Sequence, residues 1–268
     1  MNKGARSAAV GRFLRWQLAS RLMDGPIAIP FTNGTQLFAR RGMTGATGNW
    51  YCGLAEYEEM SVVKDWLRKD DLLIDVGANI GVYTILAAGG GGQVIAIEPI
   101  PAAFDCLKKN VALNELADSV QLLNIGLGSE DTYLSFSTDK DTVNHVLSDD
   151  ESQEDSITVP VRTLDSVLMG KKPRMIKIDV EGYETEVLNG ARDALADSAL
   201  EILIIELNGS GARYGYNENL LHEELIEIGF SAVSYCPKVK KFYSLNEQRN
   251  YTGNTIYIKG DMTVHIDG

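Results

Sequence analysis

Apolar residues in this chain gather in short runs that break off at a charged side chain. Leu72-Leu73-Ile74 stops at Asp75, Val94-Ile95-Ala96-Ile97 at Glu98, and Ile202-Leu203-Ile204-Ile205 at Glu206. Continuous runs of this length predict strands buried on both faces, as in a parallel sheet. Strands are expected at 72–76, 93–98, 120–125, 174–179 and 201–206, and helices between them at 80–88, 101–113, 184–196 and 218–228. That alternation predicts an α/β fold: a Rossmann-like, mostly parallel sheet with helices on both faces. Two more strand-like runs, 131–137 and 157–162, bracket an acidic stretch from Asp139 to Asp155. The last apolar runs, 231–235 and 254–259, predict an antiparallel pair that closes the sheet.

The first 70 residues follow another pattern. Ile27–Phe31 and Thr35–Ala39 flank Asn33-Gly34, a hairpin signal. Residues 42–53 are rich in glycine and predict a loop, and 56–67 have the spacing of an amphipathic helix. Residues 1–70 are therefore expected to form an N-terminal cap in front of a domain spanning 71–268. Ahead of the hairpin, residues 1–23 carry Lys3, Arg6, Arg12, Arg15 and Arg21 and no acid, with Val10, Phe13, Leu14, Leu18 and Leu22 near helical spacing. Such a helix packs on its own domain or touches an anionic membrane surface. Packing is the expectation.

Charge and cysteine content narrow the class. With 268 residues, 44% of them hydrophobic, the chain can bury a full core. Its formal net charge of −12 speaks against a nucleic-acid partner, which calls for a basic footprint. Cys52, Cys106 and Cys236 form no paired or zinc-binding spacing. Together with the lack of a leader pattern or a bilayer-long apolar run, they predict a cytoplasmic protein.

The chemistry is written at the strand ends. After Asp75 the chain runs Val76-Gly77-Ala78-Asn79-Ile80-Gly81 into a helix, a turn whose glycines let backbone N–H groups approach a ligand. About twenty residues further on, Glu98 ends the second strand, where an acid receives the two ribose hydroxyls of a nucleoside cofactor. A dinucleotide site calls for G-x-G-x-x-G, whereas here Asn79 occupies the middle of Gly77-x-x-x-Gly81. Asp75 would also repel a pyrophosphate while suiting a cationic amino-acid end. These features favour S-adenosylmethionine over a nicotinamide cofactor.

A second cluster follows the fourth strand: Lys177, Asp179, Glu181 and Glu184 lie within eight residues. Alternation along a strand puts Lys177, Asp179 and Glu181 on one side, bordering the ligand crevice. Acids at a helix start explain Glu184 through the helix dipole but leave Lys177 and Asp179 unexplained. Asp179, with Lys177 and Glu181 beside it, is the first candidate for general base or acceptor anchor. His145, next to Asn144 in a polar loop, is a rival. Asp179, Glu206 and Asn208 at neighbouring strand ends could offer oxygens to Mg²⁺, but acids at strand ends are common and no metal is expected. Residues 209–217 mix glycines with Arg213, Tyr214 and Tyr216, a composition suited to a sugar or polyol surface.

Over about two-thirds of its length the chain resembles the FkbM-type methyltransferases. The resemblance rests on Thr44-Gly45, Gly53-Leu54-Ala55-Glu56, the Asp75–Gly81 turn, Glu98-Pro99, Asn110 and Asn114. It continues through Thr163-Leu164-Asp165, the run from Ile176 to Glu184, Leu188-Asn189-Gly190-Ala191 and Ile205-Glu206-Leu207. It implies a class I methyltransferase sheet and methyl transfer from S-adenosylmethionine to a hydroxyl of a small acceptor, such as a sugar, glycan precursor or natural product. By motif, Asp75, Gly77, Asn79 and Gly81 would hold the methionine end and Glu98 the ribose. No acid follows the third strand, which leaves Asn124 or the backbone near Gly126 for adenine. The rival readings are an N-methyltransferase of a small amine and a cofactor-binding scaffold without chemistry.

Overall fold

The computed structural model describes residues 6–22, 25–138, 144–148, 151 and 154–260. Lys3 and most of the acidic stretch from Asp139 to Asp155 lie outside them, as does the side chain of Val10.

The chain opens with helix α1 (Arg6–Leu22) and a hairpin, β1 (Ile27–Pro30) and β2 (Gln36–Ala39). Asn33 and Gly34 take the positive φ values, 53° and 79°, that the tight turn requires. Residues 44–52 form helix α2 (Thr44–Cys52), not the loop that their glycines predict. Packing overrides propensity here. Ala46 is fully buried, the Thr47 hydroxyl donates to the Met43 carbonyl, and the Asn49 amide donates to Gly45. Helix α3 (Tyr57–Trp66) then leads into the main sheet.

The main α/β unit runs β3 (Leu72–Val76), α4 (Val82–Ala88), β4 (Gln93–Ile97), α5 (Pro101–Leu113) and β5 (Val120–Leu123). An insertion follows: β6 (Gly126–Leu127), β7 (Thr132–Ser137) and β8 (Ser156–Arg162). The chain then continues with α6 (Leu164–Leu168), β9 (Met175–Ile178), α7 (Glu184–Asn189), α8 (Arg192–Ala196) and β10 (Ile202–Glu206). It closes with α9 (Glu218–Glu227), β11 (Phe230–Cys236), β12 (Lys241–Ser244) and β13 (Asn254–Lys259).

Eight strands form one sheet in the order β12-β11-β13-β10-β9-β3-β4-β5. From β5 to β10 neighbours are parallel, while β13 lies antiparallel between β10 and β11. The chain moves outward from β3 through β4 to β5 and then crosses back to β9, so strand order reverses between β3 and β9. Ligands of open α/β sheets bind at such a switch point, outside the carboxyl ends of the strands. Strands β6, β8 and β7 form a separate three-stranded sheet beside that end, with its own apolar cluster around Phe136, Val146, Val159 and Val161.

Two details differ from the sequence pattern. The helix expected over 184–196 is two helices, because Gly190 passes so close to Gly128 that a Cβ would lie 2.0 Å from its carbonyl oxygen. Asp165 caps the second piece by accepting from the N–H groups of Asp193 and Ala194, both at 3.0 Å. The expected closing pair encloses no edge, since the short β12 adds outside β11.

The N-terminal hairpin is tied to the α/β unit by two asparagines of α5. Asn110 accepts from the Phe38 N–H and donates to the Ile80 carbonyl, both at 2.7 Å. Asn114 accepts from the Gln36 N–H and donates to its carbonyl. Trp16, Leu37 and Met60 share one apolar cluster with Leu73 and Leu86.

Candidate active site

The turn after β3 is shaped by contact with the strand beside it. Gly77 has φ 74°, and a Cβ there would lie 1.9 Å from the Asp179 carbonyl oxygen. Its N–H and that of Ala78 both donate to the Ile97 carbonyl at 3.0 Å. Asn79 follows at φ 51°, and its N–H donates to Glu98 at 2.8 Å. The other Glu98 oxygen accepts from the Ile100 N–H at 2.8 Å. Burial pushes this carboxyl up to about 7, against the two N–H donors that favour its charged form.

Of the residues expected to meet a cofactor, Gly77, Asn79, Glu98 and Gly126 line one cleft that opens to solvent. Asp75, Gly81 and Asn124 stand behind it. Asp75 accepts from the Thr84 hydroxyl at 2.5 Å and so fixes α4 to β3. Burial pushes Asp75 up to about 6, while Thr84 and Lys177 act the other way. Gly81, with φ 90°, begins α4 where a Cβ would meet Leu107 at 2.4 Å. Asn124 donates to the Glu98 and Pro99 carbonyls at 2.8 and 3.0 Å, holding the strand end in place.

The opposite wall is apolar and comes partly from the insertion: Ile100, Ala103, Ile125, Phe136 and Val146. Sequence alone gave no reason to connect Phe136 or Val146 with β4, because the bridge between them forms only in the inserted sheet. This cleft fits S-adenosylmethionine. Glu98 could receive the ribose hydroxyls, the glycine turn could take the amino-acid end, and the apolar wall could take a flat base.

At the end of β9 the charged cluster closes around Lys177, which is 2% exposed. Its ammonium donates to Asp179 at 3.0 Å and lies 5.3 Å from the centre of the Tyr83 ring. Burial opposes its charge, but Asp179, Glu56 and Asp75 outweigh that and leave the lysine raised above its ordinary range. Glu56 accepts from the Tyr83 hydroxyl and from the Asn254 amide. Pattern alone does not reveal Glu56, Tyr83 or Asn254, and Glu56 stood out only within the FkbM-like motif. Glu184 folds back to accept from the N–H groups of Val180 and Gly182, at 3.1 and 3.2 Å. It thereby builds the turn in which Glu181 takes φ 56°.

Carboxylate oxygens of Asp179, Glu181 and Glu206 lie within 4.8 Å of one another. Burial and then the Asp179 charge push Glu181 up to about 7 and Glu206 up to about 8. These acids could hold a cation between them, but Lys177 already supplies a positive charge at Asp179. The side-chain amide oxygen of Asn208 accepts from the Ser210 N–H and hydroxyl.

The remaining candidates are distributed around the rim. Asn144 and Val146 line the cleft, whereas the side chain of His145, between them, is buried and pairs with Glu151 at 2.9 Å. The structure does not bring His145 to Asp179. Arg213, in a 3-10 helix at Ser210–Tyr214, donates to the Glu181 carbonyl at 3.0 Å. Tyr214 donates to the Val146 carbonyl at 2.6 Å and packs edge-on against Tyr183, joining this loop to the insertion. Tyr216 stands beside Tyr214, with ring centres 6.1 Å apart.

A switch-point cleft with a buried carboxylate at the end of its second parallel strand, in a sheet where the antiparallel β13 is inserted between β10 and β11, defines a class I methyltransferase. Residues 75–231 match the methyltransferase FkbM domain. The chain belongs to that family, and it is an S-adenosylmethionine-dependent methyltransferase. It is 27% identical over 207 residues to Methyltransferase 1 of Beauveria bassiana, covering 68% of this chain and 82% of that one. It is 31% identical over 158 residues to the hexuronic acid methyltransferase AglP of Haloferax volcanii, covering 57% and 62%. An rRNA methylase structure from Streptococcus thermophilus superposes with a TM-score of 0.46 at 15% identity, covering 76% and 95%.

Proposed function

We propose that the chain methylates a hydroxyl oxygen of a small polar acceptor, a sugar or glycan precursor in particular. The observation that carries this reading is the Asp179–Glu181–Glu206 group, whose first two members line the cleft, with Glu181 held near 7. A hydroxyl must lose its proton as the new C–O bond forms, and a carboxylate poised near neutrality suits that task. When bound, S-adenosylmethionine supplies the electrophilic methyl group. The chain's own part is alignment and proton removal. In this reading Asp179, held by Lys177, orients the acceptor hydroxyl, and Glu181 takes its proton. Three acids would instead keep an amine acceptor protonated and its lone pair unavailable, which disfavours N-methylation. The hexuronic acid methyltransferase among the relatives supports a sugar acceptor.

The test is a panel of hydroxylated and amine acceptors assayed with S-adenosylmethionine, followed by Glu181→Gln on the best of them. We expect turnover of a hydroxylated acceptor, a drop of about a hundredfold in kcat with Glu181→Gln, and an unchanged Kd for the methyl donor. An undiminished rate in Glu181→Gln would remove it as the proton acceptor, and turnover of amines alone would overturn O-methylation. Calorimetry on Glu98→Ala checks the donor site, where binding should weaken by about 1–3 kcal/mol.

A further inference from the structure

One face of α1 is bound to the domain and the other is not. Trp16 is buried in the main apolar cluster and its neighbour Arg12 donates to the Tyr51 carbonyl at 2.8 Å. The Trp50 indole donates back to the Arg12 carbonyl at 3.0 Å. These contacts fix the rotation of the helix. On the side turned away, Leu14, Leu18 and Leu22 recur every four residues and are 61%, 64% and 75% exposed. Residues four apart lie on one face, so the three leucines form a continuous apolar stripe in solvent.

Every charge on α1 itself is positive. At 100° per residue, Arg15 and Arg21 fall on opposite flanks of the three leucines. Beside Arg21, exposed Arg40 and Arg41 line a shallow hollow with Trp16, Ser20 and Ile27. Among the described residues, none of Arg15, Arg21, Arg40 and Arg41 has a salt bridge. Arg21 donates to the Gln17 carbonyl at 3.0 Å, and this basic edge stands out in a chain of net charge −12. A helix with leucines in the middle and arginines on both edges matches an anionic lipid surface: the apolar chains enter the acyl boundary and the guanidinium groups reach the headgroups. No helix among the described residues is long and apolar enough to cross a membrane, so the match is to lying in the interface.

We propose that α1 docks this enzyme on an anionic phospholipid surface, with Leu14, Leu18 and Leu22 inserted and Arg15, Arg21, Arg40 and Arg41 bound to headgroups. The charge complementarity decides against a second copy of the chain as the occupant, since two arginine-edged stripes would repel one another. The proposal is independent of which acceptor is methylated.

The experiment is flotation of the full chain with vesicles of phosphatidylcholine alone and of phosphatidylcholine with phosphatidylserine. Wild type should float with the phosphatidylserine vesicles, in a salt-sensitive manner, and not with phosphatidylcholine alone. Arg15→Glu/Arg21→Glu should weaken that binding by at least about tenfold, and Leu14→Ser/Leu18→Ser/Leu22→Ser should abolish it. Both variants should keep the wild-type Tm and donor affinity, because the altered residues lie on the exposed face. Wild type that stays with neither vesicle overturns the proposal. So does sedimentation as a dimer that the leucine variant converts to monomer, which would assign the stripe to self-association. Equal binding of wild type and the leucine variant would overturn the insertion of the stripe.

Discussion

The adjacent strands β3, β9 and β10 carry charge at both ends, and the two ends are built on different principles. At the amino ends, Arg174 holds Asp71 at 2.6 Å and Glu201 at 2.7 Å, tying all three strands together. The guanidinium fork satisfies both acids at once, so nothing there is left to react. At the carboxyl ends the buried Lys177, with Arg213 near Glu181, faces Asp75, Asp179, Glu181 and Glu206, with Glu56 beyond Tyr83. Two cations cannot neutralise that many acids, and burial, helped by the like charge of Asp179, leaves Asp75, Glu181 and Glu206 pushed up to about 6, 7 and 8. A matched cluster holds a sheet together, and an unmatched one stores exchangeable protons. Depth of burial alone does not separate them.

Lys177→Met attacks the unmatched end directly and should have the largest effect. It leaves Asp179 without its cation and removes the ring contact with Tyr83. We expect kcat to fall by about a thousandfold and stability by about 3 kcal/mol, read by single-turnover rates and urea unfolding. If turnover survives, Asp179 does not need its partner and the contrast between the two ends loses its functional meaning.

Removing one of the surplus acids should sharpen the contrast. Glu181 and Glu206 bind protons more tightly in the folded chain than in the unfolded one. Their contribution to stability is therefore greatest below the ordinary carboxyl range and declines as pH rises towards about 7 to 8. Turnover should follow the opposite course, rising as the cluster loses its protons. Glu206→Gln takes a like charge away from Asp179 and Glu181. It should move the pH–rate midpoint down by about half a unit to one unit and flatten the decline in Tm over the same interval. An unmoved midpoint would mean that the three carboxyls titrate independently.

Arg174→Met should leave catalysis alone. The chain should lose about 2–3 kcal/mol of stability, because two partly buried acids lose their partner. The kcat of the remaining folded protein should match wild type. A large fall in kcat without loss of stability would mean that the amino ends of the strands do more than hold the sheet.

The site was legible in the sequence wherever one run of residues carries its own geometry. The Asp75–Gly81 turn, the acid at Glu98 and the cluster from Lys177 to Glu184 are each local, and apolar runs ending in charge announce them. Local patterning also gave the five parallel strands and most of the helices. It failed at 42–53, where buried contacts with α1 and β2 make a helix out of residues that favour a loop. Local pattern also did not reveal that Asp75, Gly81 and Asn124 brace the helix, the turn and the strand end.

What the sequence by itself determined is therefore the order of strands and helices and the identity of the charges at the strand ends, since period and composition are properties of short segments. Tertiary structure alone decided which charges meet. Lys177 reaches Tyr83 and, through it, Glu56, while Phe136 and Val146 from an insertion complete a wall begun by Ile100. Those contacts join segments far apart in the chain, and no local period encodes them. They arise because a parallel sheet with a strand-order reversal draws every strand end toward one crevice.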